Sequence, residues 1–231
     1  MTAPMTVPMM ARVWRCAGLL ASSLALRAAS AQDSLRFTGP DPETTRQVTQ
    51  IVESVAAAGL PAIQIVAKAN FAVLVRTPGP RIVETVKSVA TRLGIARDAI
   101  APHKLANDIV NAEEALSYNV PPDILKQISK AQPKAPIAVP LSVLTQLVAT
   151  QVPVKRAGEI VLDLVRHGAT PVQLQALGND VEGDVRLLGA GALQAANLRY
   201  GNLKPTLAPL GASAAAATDA GFTTSSGPKK P

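Results

Sequence analysis

Cysteine is almost missing from this chain: Cys16 is the only one in 231 residues. It stands in a basic and apolar leader. Arg12 and Arg15 precede "AGLLASSLAL", an apolar run of ten from Ala17 to Leu26, and "AASAQ" places an A-x-A pattern at its end, with cleavage after Ala31. That is the layout of a secretory signal peptide, and the run is too short to span a bilayer. Met9 or Met10 can serve as the start of the same signal, and retention as an uncleaved anchor is the alternative reading. A lipoprotein signal would put its cysteine after the apolar run, whereas Cys16 precedes it. The expectation is an exported protein, periplasmic or secreted, whose mature chain holds no cysteine. Thiol catalysis, disulfides and cysteine-ligated zinc are excluded with it.

Aromatic residues are scarce too. Beyond the leader there are Phe37, Phe71, Tyr118, Tyr200 and Phe222. Sugar-binding clefts rely on aromatic platforms, so the composition argues against a glycan-binding site. A concentrated basic charge is also lacking, despite a formal net charge of +7. Arg12, Arg15 and Arg27 sit ahead of any acid, leaving 20 basic residues against 16 acidic ones from Gln32 on. The end of the chain takes Lys204, Lys229 and Lys230 against Asp219, which brings the remainder to +2. Nucleic-acid binding calls for a basic face that this distribution does not supply.

What is present is helix punctuation. Residues 32–42, "QDSLRFTGPDP", read as a linker, residues 43–201 as one helical domain, and residues 202–231 as a disordered Ala/Pro/Gly-rich tail. In "VTQIVESVAAAG" the residues Val48, Ile51, Val52 and Val55 form one stripe, stopped at Gly59. In "RIVETVKSVATRLG" the stripe is Ile82, Val83, Val86, Val89, Ala90 and Leu93, with Gly94 as the expected stop. "FAVLV" (Phe71 to Val75) is the best strand candidate, but it continues the helical pattern begun at Ile63 and is read as helix. Pro61, Pro80, Pro102, Pro121, Pro140, Pro153 and Pro171 follow one another at 19, 22, 19, 19, 13 and 18 residues. Proline suits a helix start, and three starts share a Val-Pro pair: Val120–Pro121, Val139–Pro140 and Val152–Pro153. Each interval fits a helix of about 12–15 residues and a short turn.

The fold class predicted is all-α, with about seven to nine short helices arranged as an orthogonal bundle or a solenoid-like array. The aromatic marks of tetratricopeptide repeats and the ankyrin signature are missing. The segment "GLPAIQIVAKANFAVLVRTPGPRIVETVKSVATRL", with "NVPPDILKQI" and "AVPLSVLTQLVATQVP" after it, resembles exported bacterial proteins of unknown function that carry a "GLP…LVAKA" start and repeated "VP" helix starts. The resemblance covers about residues 59–184. It implies a helical exported protein and lends neither an activity nor catalytic residues.

Several side chains invite chemistry. Glu159, Asp163 and His167 recur every four residues, so a helix stacks them on one face, as a metal site would. The same face collects Lys155, Arg156 and Arg166, all within about 80° of Glu159, while Ile160, Val161, Leu164 and Val165 form the opposite side. A solvated row of ion pairs is therefore expected, with no metal, and His167 should meet the negative end of the helix dipole before Gly168. His103, beside Pro102, reads as a surface or capping residue at a helix start. Asp180, Glu182 and Asp184 lack the glycine and glutamate positions of a calcium loop, and Gly189 and Gly191 read as a helix junction rather than a phosphate loop. Glu113 and Glu114 are the remaining candidates for a general acid.

Taken together, these readings predict an exported, non-catalytic helical module without cofactor. It would bind another envelope protein and no nucleic acid, and would keep no membrane span after signal cleavage. The alternatives are a cell-wall glycan hydrolase working through Glu113 or Glu114, and a carrier of lipid or another apolar ligand.

Overall fold

A computed structural model of the chain describes residues 36–207. The signal-peptide reading, and the tail from residue 208 on, fall outside that stretch. The described residues form α1 (Pro42–Ala57), α2 (Ile63–Leu74), α3 (Gly79–Ala99), α4 (Ala106–Ser117), α5 (Pro122–Ala131), α6 (Ala138–Ala149), α7 (Val154–Arg166), α8 (Pro171–Leu188), α9 (Ala192–Leu203) and a 3-10 turn (Lys204–Thr206). There is no strand among them, and the class is all-α as expected. Phe71 to Leu74 belong to helix α2. Two compact units divide the chain, with the boundary after Lys87, inside α3.

Five joints between helices share one form. Each helix ends on a residue with left-handed backbone: Gly59 (φ 70°), Arg76 (57°), Asn119 (62°), Gln151 (71°) and Gly168 (77°). The N–H of that residue bonds a carbonyl three residues back, as Gln151 does with Val148, and the next N–H bonds one five back, as Val152 does with Leu147. This double bond pattern satisfies carbonyls that the helix end would otherwise orphan. Proline follows at once in four of the joints (Pro61, Pro78, Pro121, Pro153) and after one more residue, Thr170, in the fifth (Pro171). Two of the Val-Pro pairs are this joint: Val120 and Val152 are buried second residues of the cap, and Pro121 and Pro153 are the N-caps of α5 and α7. Thr170 caps α8 in a reciprocal box with Gln173.

Three expectations need correction, whereas Val139–Pro140 stands at a helix start as expected, within the first turn of α6, which begins at Ala138. Proline is tolerated there because the first N–H groups of a helix have no carbonyl to bond. Gly94 does not stop α3, which runs on to Ala99. Burial of Leu93, Ala96 and Ile100 continues the stripe and outweighs the roughly 1 kcal/mol that an interior glycine costs. Pro102 is not at a helix start, because α4 opens at Ala106. The folded chain also exceeds residues 43–201 at both ends: Phe37 is buried, Asp41 caps α1 by accepting from the Thr44 N–H at 2.8 Å, and α9 reaches Leu203.

Unit 1 packs α1 on α2 around Val48, Val52, Val55, Ile65, Val66, Ile82 and Val86. The start of α3 closes on the cap of α1 so tightly that a Cβ on Gly79 would meet Asp41 and Thr44. Unit 2 is built about α6, which touches α4, α5, α7 and α8. These partners all lie one or two helices away along the chain, and their packing is compatible with a bundle of short helices. Helix α6 carries no charge, and Leu141, Val143, Leu144 and Leu147 are all buried. Helix α5 crosses α7 at Gly158, where an added Cβ would stand 2.9 Å from Ile124 Cδ1.

Candidate functional site

Helix α7 is divided as the periodicity predicts. Ile160, Val161, Leu164 and Val165 are buried, Glu159 is exposed, and Asp163 and His167 are half-buried. The acid–acid–histidine row is committed residue by residue. Arg156 Nη1 lies 3.2 Å from Glu159 Oε2. Asp163 Oδ2 accepts from the Tyr200 hydroxyl at 2.7 Å and from Lys204 Nζ at 3.0 Å. His167 Nδ1 is 2.7 Å from the main-chain oxygen of Asp163, where it caps the end of the helix. Burial works against ionisation of Asp163. The bonds from Tyr200 and Lys204, with the charges of His167 and Lys204, outweigh it and hold the carboxyl below its usual range. Arg156 completes the cluster by donating to Asn197 Oδ1 at 2.8 Å and lying 5.5 Å from the centre of the Tyr200 ring. The row thus fastens α7 to α9.

The other candidates are similarly engaged. Glu113 is buried, and its Oε1 takes both Nε and Nη2 of Arg92 at 2.8 Å, while Glu114 is exposed. Adjacent helical residues point about 100° apart, so the two glutamates do not share a site. Asp184 receives Arg199 through two bonds of 2.7 and 2.6 Å, and Asp180 lies 3.4 Å from the same guanidinium. Those bonds hold the Asp184 carboxyl below its usual range and raise Arg199. Glu182 accepts from Gln146 at 2.9 Å, tying α8 to α6. The glycines beyond α8 form a junction: Gly189 is the left-handed C-cap of α8 and Gly191 precedes α9.

His103 corrects the expectation of a surface residue. Its side chain is buried, with Nδ1 3.7 Å from Oδ2 of the fully buried Asp108. Asp108 Oδ1 accepts from the Ile137 N–H at 3.0 Å, which pins the start of α6. His103 Nε2 and Asp108 Oδ2 are buried and make no hydrogen bond. The pairing escaped sequence reasoning because residues five apart across a helix start match no helical spacing. Among the described residues, no group of three or more His, Cys, Asp or Glu side chains could hold a metal ion.

Unit 2 carries a concave surface to which the sequence did not point. The first half of α9 and the joint before α7 enclose an open groove of about 910 Å³ lined by Gln151, Pro153, Leu193, Gln194, Asn197 and Leu198. A shallower branch runs along α7 past Lys155, Arg156 and Glu159. Leu193 and Leu198 are exposed, as are Leu187 and Leu188 at the end of α8. The groove therefore offers apolar contacts, three side-chain amides for a peptide backbone, and a charged rim. No family model, no curated protein and no solved structure matches this chain.

Proposed function

We propose that the protein is an exported helical module that acts by binding another envelope protein, with no chemistry of its own. The observation that carries this reading is the α7–α9 groove. Its exposed leucines beside Gln151, Gln194 and Asn197, with Lys155 and Arg156 at the edge, have the apolar centre and polar rim of a recognition surface. Support comes from the acids, since Glu113, Asp163 and Asp184 are each spent on a bond between helices. Support for export comes from the leader sequence. Among the described residues no helix is long and apolar enough to cross a membrane.

The test uses a photo-crosslinking amino acid at position 193 in cells that export the chain, with exposed Lys126 as the control position. An adduct of one reproducible mass at 193, absent at 126 and suppressed by Leu198→Glu, is the expected result. Equal labelling at both positions, or none at 193, sinks the reading.

A further inference from the structure

Helix α2 is apolar on two sides. Its inner side, Ile65, Val66, Ala69 and Ala72, is buried in unit 1. Its outer side carries Ile63, Phe71, Leu74 and, at the C-cap, Val75, which are 52%, 63%, 77% and 53% exposed. All four fall within about 80° of Phe71 around the helix axis, so they make one ridge roughly 18 Å long. Four large apolar side chains side by side on a single short helix exceed the scattered exposure that any soluble surface shows.

The charge along the segment that forms this ridge has one sign. Lys68 stands beside it within the helix, and Arg76 follows it; both are exposed. No acidic residue occurs between Glu53 and Glu84. Arg76 also occupies a position that glycine fills in two of the equivalent joints, holding φ at 57°. A left-handed arginine costs about 1–2 kcal/mol of backbone strain, so the fold would gain from glycine there. The cation stands next to Leu74 and Val75.

We infer that the α2 ridge is a contact for an anionic lipid surface, separate from the groove in unit 2. The ridge is convex, which suits a bilayer interface into which apolar side chains dip while flanking cations meet headgroup phosphates. A second copy of the chain fits poorly, because a two-fold contact would set Lys68 and Arg76 against their own kind with no acid in the same segment to answer them.

The experiment uses the full chain with Trp14→Phe and Phe71→Trp, so that one indole reports from the ridge and the leader contributes no signal. Vesicles of phosphatidylcholine with phosphatidylglycerol, including a brominated lipid, are compared with vesicles of phosphatidylcholine alone. The indole emission is expected to shift to the blue and to be quenched on the anionic vesicles only. Lys68→Gln and Arg76→Gln, both at exposed positions that leave the core untouched, should each weaken that partitioning about fivefold. Phe71→Ser, read by vesicle co-sedimentation against the unsubstituted full chain, should weaken it by at least about tenfold. An indole that ignores both kinds of vesicle overturns the inference and leaves the ridge to a protein partner. A blue shift that grows with protein concentration, without vesicles, overturns it in favour of a second copy. Equal partitioning of the Lys68→Gln and Arg76→Gln chains overturns the charge argument and the inference with it.

Discussion

Helices α2 and α6 each span twelve residues and are close to chargeless, with Lys68 the one charge in α2 and none in α6. Their surroundings are opposites. Helix α6 sits among four neighbours, which cover its leucines. Helix α2 is covered on one side, and its second apolar side faces outward. A helix that is apolar all round is ordinarily a buried one. In α6 that composition is consumed by folding; in α2 half of it is left over, and the leftover half does nothing for the stability of its own unit. The comparison separates residues that build this protein from residues that are available to a partner.

The widest gap should come from shortening one leucine in each helix. Leu144→Ala in α6 removes a side chain with 0% exposure and is expected to cost about 2–5 kcal/mol. Leu74→Ala, at 77% exposure, should change stability by no more than about 0.5 kcal/mol. Urea unfolding followed by circular dichroism measures both, and equal losses would erase the distinction between the helices. A smaller contrast lies between two helical glycines. Gly158→Ala drives a methyl group against Ile124 and is expected to destabilise the bundle around α6 by about 1–3 kcal/mol. Gly94→Ala meets no neighbouring atom and should stabilise by about 0.5–1 kcal/mol, because a glycine inside a helix loses more backbone freedom than alanine does. Thermal melts of the two variants should therefore move in opposite directions.

The smallest effect concerns pH. The Asp163 carboxyl is depressed in the folded chain, so its contribution is complete above its unfolded value of about 3.9 and is lost as pH falls through the lower folded value. The stability difference between the unsubstituted chain and Asp163→Asn should shrink as pH drops below about 4, as followed by acid titration of the circular dichroism signal. A difference that stays constant down to acid pH would mean that the α7–α9 tie does not depend on this charge.

Much of the architecture was legible because it is local. Helical stripes, Gly59 and Gly168 as stops, and the Val-Pro starts at 120 and 152 depend only on residues within one turn or joint. The wet face of α7 was legible for the same reason, although its partners Tyr200, Lys204 and Asn197 were not. Failures came where distant contacts decide. Gly94 continues a helix because Ala96 and Ile100 find a core. Phe37 joins the fold despite a linker-like setting of Gly, Pro and Asp. His103 is buried by a carboxylate five residues on, and the groove depends on α9 meeting the joint before α7. Apart from the approach of His103 to Asp108, five residues apart across the start of α4, no twelve-residue window records such encounters.

The recurring joint has a kinetic consequence. Its hydrogen bonds join residues three and five apart, and its prolines fix one backbone angle before any tertiary contact exists. Each change of helix direction can form from a stretch of chain barely longer than the joint itself. Turns of this kind close without the entropy of a long loop, so each change of direction can form ahead of the contacts between helices two apart that build unit 2.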